Sequence, residues 1–286
     1  MKTETILKSI SEIKLSIDFI QLTGERRLIN KFIDATIDRS DDKIVKYDTK
    51  EKRGFKYAWV DFYNYIPDKS NIYNILLLLP QDNKFPYLLK IEHPDQSCIG
   101  AFEGLFEGYN YSVSKVELSF DIYSDNNRKV YSFLKHKIFL KNRGEALNLK
   151  YDETVYYNNI RKANSKGVKM YIKDNGFVRV EITLKRNALL GNNIRALPDF
   201  LTIDPIIFEK YFNFMQLNKK RLGRRLKKSG VEYEPIFKKI INADYKKLKN
   251  DLADEIKGYV GCHCLKKDPF HESFVDAVSG RSFFEV

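Results

Sequence analysis

Val168-Lys169-Met170-Tyr171-Ile172-Lys173-Asp174-Asn175-Gly176-Phe177-Val178-Arg179-Val180-Glu181-Ile182-Thr183-Leu184-Lys185-Arg186 is the stretch that decides the fold. Apolar and polar residues alternate on both sides of Asn175-Gly176, a dipeptide suited to the positive φ angles of a tight hairpin turn. The spacing predicts two antiparallel strands. Period-two geometry puts Lys169, Tyr171 and Lys173 on one face of the first, and Arg179, Glu181, Thr183 and Lys185 on one face of the second. Val168, Met170, Ile172, Val178, Val180, Ile182 and Leu184 form the apolar face.

The same period recurs upstream. In Lys115–Ile122, Val116, Leu118, Phe120 and Ile122 point inward and Glu117, Ser119 and Asp121 outward. In Glu12–Phe19, Ile13, Leu15 and Ile17 alternate with Lys14, Ser16 and Asp18. Phe55–Tyr65, Ile72–Leu79, Tyr87–Glu92 and Thr154–Asn158 add further strands, while Glu25–Ile37 and Asn127–Lys141 have helical spacing. From about Leu197 the texture turns helical, with Ile206, Ile207, Tyr211, Phe214 and Met215 on one face and Ile236–Ile256 following. The expected fold is α+β. Its central antiparallel sheet is built from two similar strand–helix–strand units, with a C-terminal helical extension. The expected divisions are a non-catalytic unit at 1–112, a catalytic unit at 113–196 and a DNA-binding extension at 197–286.

One sheet face thus gathers a tyrosine, three acids and several cations. Tyrosine transesterification of DNA needs such a set: a phenol to attack phosphorus, acids to hold a divalent cation, and positive charge for the pentacovalent state. Hard oxygen ligands suit Mg²⁺ or Mn²⁺. Against this stands the plain solvated face of an antiparallel sheet, where Glu, Lys, Arg and Thr merely meet water.

Composition points toward an anionic partner. With 50 Lys+Arg against 38 Asp+Glu, the chain carries +12 and a pI near 9.3, which favours nucleic acid. Seven cations in Lys219-Lys220-Arg221-Leu222-Gly223-Arg224-Arg225-Leu226-Lys227-Lys228 could neutralise several phosphates and give salt-dependent binding; a solvated charged helix is the plainer alternative. No apolar stretch is long enough to span a bilayer, and Lys2, Glu4 and Lys8 break any secretory signal, so a soluble cytosolic protein with no membrane partner is expected. Cys98, Cys262 and Cys264 fit free thiols better than a zinc site, for His263 is the one other ligand near the close pair. Tyr156 and Tyr157 are rival nucleophiles; being adjacent on a strand, they point to opposite faces. No phosphate-binding Gly-x-x-x-x-Gly-Lys-Ser/Thr loop occurs, so ATP-driven unwinding must come from another protein.

Asn164-Ser165-Lys166-Gly167-Val168-Lys169-Met170-Tyr171-Ile172-Lys173 and Val178–Arg186 resemble the core of filamentous-phage replication initiators and of related plasmid initiators of rolling-circle replication. Those proteins have a Tyr-x-Lys strand, then an Arg-x-Glu strand, beside an upstream strand that Lys115–Ile122 fits. The resemblance covers roughly Lys115 to Arg195. It implies that Tyr171 forms a 5′-phosphotyrosyl link and frees a 3′-OH primer, that Lys173 stabilises charge, and that Glu117 and Glu181 bind metal. It makes Asp121 a further ligand or an outer support, and sets Arg179 against phosphate or against Glu181. Lys169, Lys185, Arg161 and the basic run Lys219, Lys220, Arg221, Arg224, Arg225, Lys227 and Lys228 would contact DNA. Tyr156-Tyr157-Asn158-Asn159-Ile160-Arg161 resembles the stretch that precedes the catalytic strand. No His-hydrophobic-His triplet occurs among His93, His136, His263 and His271, so the likeness is to the branch that uses acids. The implied partners are origin DNA, as supercoiled duplex and single strand, and a host helicase and polymerase in a bacterial cytoplasm, with a homodimer left open. A non-catalytic, sequence-specific DNA-binding initiator or repressor is the alternative.

Overall fold

The computed structural model describes residues 3–25, 27–28, 50–52, 55–66, 69–80, 87–140, 149–151, 154–157, 166–173, 176–228 and 265–284. α1 (Thr3–Ser9) leads into β1 (Ile10–Gly24), followed by β2 (Lys50–Lys52), β3 (Phe55–Ile66), β4 (Lys69–Pro80) and β5 (Tyr87–Glu92). Next come α2 (Gln96–Leu105), β6 (Tyr111–Ser124), α3 (Asn127–Leu134), β7 (Ile138–Leu140), β8 (Leu149–Tyr151), β9 (Thr154–Tyr156), β10 (Lys166–Lys173), β11 (Phe177–Lys185) and α4 (Arg186–Leu190). Two 3₁₀ helices, Leu197–Thr202 and Pro205–Lys210, precede β12 (Phe212–Leu217), α5 (Lys219–Lys228), β13 (Leu265–Lys267) and α6 (Pro269–Val278).

The fold is α+β. Ten strands form one sheet in the order β2-β3-β4-β5-β1-β6-β11-β10-β9-β8, and β13-β12-β7 form a smaller one. Gly176 takes φ +87 in the turn between β10 and β11, a conformation that glycine adopts without a steric penalty. The hairpin register follows: Tyr171 lies opposite Arg179 and Lys169 opposite Glu181. β11 then pairs with β6, and β6 with the whole length of β1. The expected division at 112/113 therefore falls inside β6, a strand hydrogen-bonded to the first unit.

Apolar side chains of β1, β6, β10 and β11 pack against α2, α3, α6 and the 3₁₀ segments in one core. Phe120 of β6 meets Phe208, Phe274 and Phe283 at ring separations of 5.8, 5.6 and 5.6 Å. Each such ring contributes roughly 1.5–3 kcal/mol by leaving water. Buried Asp268 caps α6 through Phe270 N–H, at 3.0 Å, and receives Lys137 Nζ at 2.8 Å and Thr3 Oγ1 at 3.1 Å. That triple use ties both chain ends and the middle to one carboxylate.

Three expectations need correction. The helix over Asn127–Lys141 stops at Leu134, and Ile138–Leu140 pairs with β12 instead. The helical face of Ile206, Ile207, Tyr211, Phe214 and Met215 is a 3₁₀ turn followed by a strand. Phe212 and Phe214 are buried on either side of half-buried Asn213, a two-residue period that outweighs the looser helical spacing. The C-terminal part is thus not purely helical, and its aromatic residues share the core of the large sheet. Glu25–Ile37, mostly, and Ile236–Ile256 lie outside the described residues.

His271 of α6 is fully buried. Its Nδ1 accepts from Phe214 N–H at 3.3 Å and its Nε2 lies 2.6 Å from Glu209 Oε1, a pattern that assigns the proton to Nε2. Burial lowers its pKa below 6.5 despite the opposing pull of Glu209; hydrogen bonds from Lys267 and His271 lower that of Glu209 below 4.5. Both groups bind protons more readily in the unfolded chain, so stability is present above the ordinary values and falls as pH drops through 6.5 and then 4.5. Thermal melting should therefore decline from neutrality toward about pH 5.5, and His271→Asn, which keeps an acceptor near the Nδ1 position, should flatten that decline.

Candidate active site

On the polar sheet face, register sets side chains in rows across the strands. Lys14, Asp121, Arg179 and Tyr171 make one row over β1, β6, β11 and β10. Ser16, Ser119, Glu181, Lys169 and Tyr156 make the next, and Phe19, Glu117 and Thr183 the third. Rows on one face are about 6.6 Å apart along a strand. Tyr171, Glu117, Glu181, Asp121, Arg179, Lys169 and Lys185 therefore lie on one face. Lys173 ends β10 opposite Phe177, one row beyond Tyr171 and two beyond Glu181. The lysine set against the acids is Lys169, whose ammonium pairs with Glu117 Oε2 at 3.2 Å and with Glu181 Oε2.

β1 supplies a residue that the sequence reading did not assign. Ile17 pairs with Leu118 and Phe19 with Glu117, so Asp18 is the extra residue of a β-bulge. Such a bulge re-aims side chains. Asp18 Oδ1 accepts from Arg179 Nη1 at 2.8 Å, and its backbone carbonyl accepts from His93 N–H at 2.9 Å. Asp18, Glu117 and Glu181 place one carboxylate oxygen each within 4.8 Å of one another. The exposed His93 imidazole stands at the rim, 3.8 Å from Asp18.

Asp121 is not in that trio. Both of its oxygens accept from Arg179, from Nε at 2.6 Å and Nη2 at 2.7 Å, the two-pronged match of a guanidinium and a carboxylate. Arg179 is only 5 % exposed, and its Nη1 also lies 3.9 Å from Glu181 Oε1, so of its two expected places, on phosphate or against Glu181, the geometry favours the second. Burial works against its charge, but the Asp121 hydrogen bonds and charge outweigh it and raise its pKa.

The Tyr171 hydroxyl donates to Glu181 Oε1, and Thr183 Oγ1 donates to Glu117 Oε1 at 2.6 Å. Burial raises the phenol's pKa, and the nearby Arg179 charge opposes that rise. Glu181 is fully buried, and its Oε2 makes no hydrogen bond despite the Lys169 ion pair; buried Ser119 Oγ, directly across in the same row, makes none either. Among the described residues, the four carboxylates Asp18, Glu117, Asp121 and Glu181 form ion pairs with two cations, Lys169 and Arg179, a formal −2 that the more distant Lys115, within electrostatic reach of Glu117, reduces only in part. Uncompensated buried charge is costly. A divalent ion would offset it, and the all-oxygen donor set suits Mg²⁺ or Mn²⁺.

Of the rival tyrosines, Tyr157 is fully buried with its hydroxyl on Lys135 O at 3.0 Å, while Tyr156 pairs with Lys169 in register. Arg161 lies outside the described residues. Lys219, Lys220, Arg221, Arg224, Lys227 and Lys228 are exposed on α5, whose Leu222 is buried. Among the described residues, no helix is long and apolar enough to cross a membrane. The chain matches no family model and no curated protein.

Proposed function

We propose that the chain is a metal-dependent enzyme that nicks and rejoins origin DNA and thereby initiates rolling-circle replication. The observation that carries this reading is the Tyr171 phenol bonded to Glu181, itself one of the three clustered carboxylates. Asp18, Glu117 and Glu181 would hold Mg²⁺ or Mn²⁺, which when bound polarises a phosphodiester. Tyr171 Oη attacks phosphorus, the P–O3′ bond breaks, and the 5′ end stays on the tyrosine while the 3′-oxygen leaves and takes up a proton from water to become the hydroxyl primer. Glu181 Oε1 already faces the phenol proton and is its acceptor. Lys169 and Lys173 bring positive charge toward the reacting phosphate, and Arg179 fixes Asp18 and Asp121.

The basic face of α5 supplies sequence-independent grip on duplex DNA. The sheet order supports the notion of two similar units. β2-β3-β4-β5-β1 is mirrored by β8-β9-β10-β11-β6, each half ending with a strand that returns beside its first. We infer that the N-terminal half is the non-catalytic copy, lending Asp18 to its neighbour.

Supercoiled plasmid carrying the cognate origin should be converted to the nicked form with Mg²⁺ and not with EDTA, and mass spectrometry of the trapped peptide–oligonucleotide should place the link on Tyr171. Binding without nicking would instead favour the non-catalytic initiator or repressor.

A further inference from the structure

A fourth row crosses the polar face beside the acids. Lys90 of β5 and Lys115 of β6 flank Gln21 of β1, and Lys115 lies directly opposite Lys185 of β11. Like charges directly opposite on neighbouring strands are destabilising. Here three lysines occupy one row. Lys90 Nζ and Lys115 Nζ stand 4.3 and 4.5 Å from the centroid of the same ring, Phe19, which is buried and so braces both stems. Lys115 lies within electrostatic reach of Glu117, which favours its charge, and of Lys185, Lys169 and Lys90, which oppose it. Glu92 pairs with Lys90 at 2.5 Å, whereas neither Lys115 nor Lys185 forms an ion pair among the described residues.

All three ammonium-bearing side chains are half-buried, not splayed into solvent, so their repulsion is only partly relieved by water. Three strand spacings separate β5 from β11, about 14 Å in all. The row lies about 20 Å, six residues along β11, from the row of Tyr171. A multiply charged, extended anion running over the sheet would satisfy the row and reach the phenol.

We propose that Lys90, Lys115 and Lys185 form a phosphate-binding row that holds the backbone of single-stranded DNA to one side of the nick. This rests on the nicking function proposed above. The row gives the strand a fixed path across the strands of the sheet, from β5 toward β11, before it turns along β11 to Tyr171. Its contacts are to phosphate alone and carry no base preference.

The test is fluorescence anisotropy of a labelled oligothymidylate with the full chain, titrated with salt. Each phosphate contact on a single strand contributes about 0.7 to the slope of log affinity against log salt. Lys115→Gln/Lys185→Gln should therefore lower that slope by about 1.4, with a melting temperature equal to or above the parent's because the opposed charges are gone, and Lys115→Arg/Lys185→Arg should restore the slope. An unchanged slope in the glutamine variant overturns the row while leaving the nicking function standing. If the unaltered chain fails to bind the oligonucleotide, the row falls, and the nicking function is then judged by conversion of the origin plasmid. A slope that drops only together with the melting temperature marks a structural role and overturns the row.

Discussion

Tyr171→Phe should abolish the covalent protein–DNA adduct, with nicking reduced on the order of 10⁴-fold or more, the scale on which removal of a covalent nucleophile acts. The change deletes one oxygen and leaves the ring. The ring's neighbour Lys169, with Nζ 5.7 Å from its centroid, keeps its contact, and β10 keeps its register. What is lost is the hydrogen bond to Glu181, about 1.5–3 kcal/mol for a bond to a charged partner. The variant should accordingly melt a few degrees lower and bind origin DNA almost as the parent does. Equal adduct yield would remove Tyr171 from the chemistry and turn attention to Tyr156, in the next row of the same face. Tyr157 offers no such route, because its hydroxyl is bound to Lys135 O beneath the sheet.

The legible part of the site is what period two and one turn can specify. The Asn-Gly signal predicted a hairpin whose turn Gly176 makes with φ +87, and alternation alone put Tyr171, Arg179, Glu181, Glu117 and Asp121 on a common face. Alternation does not say which cation meets which acid. That depends on the register between β11 and β6, which sets Arg179 against Asp121 and Lys169 within reach of both Glu117 and Glu181. Asp18 was visible as a polar residue of the outward phase of β1, but its strand is joined to β6 by pairing across about a hundred residues, and its aim comes from a bulge. Neither leaves a local mark in the sequence. β12 was hidden for the opposite reason: its Phe214 and Met215 fall into helical spacing with Ile206, Ile207 and Tyr211 before it by accident, and only burial against α6 makes its alternation decisive.

Arg179→Met should destabilise the fold by about 3–5 kcal/mol, the cost of removing one member of a buried ion pair. Arg179 and Asp121 are each 5 % exposed, so the orphaned Asp121 carboxylate has little water to turn to, and Asp18 loses its hydrogen bond as well. Asp121→Leu alone should cost less than Arg179→Met, because the guanidinium retains Asp18 at 2.8 Å and Glu181 at 3.9 Å. In the double variant Arg179→Met/Asp121→Leu two apolar chains replace the pair, and most of the loss should return, since well-packed apolar substitutes for a buried pair are often neutral. Chemical denaturation of the four proteins measures the coupling directly. A guanidinium that served DNA phosphate would behave otherwise: Arg179→Met would keep the midpoint of unfolding, weaken DNA binding, and gain nothing from Asp121→Leu. A loss under about 1 kcal/mol, the range of an exposed pair, would contradict the buried pairing and free Arg179 for phosphate.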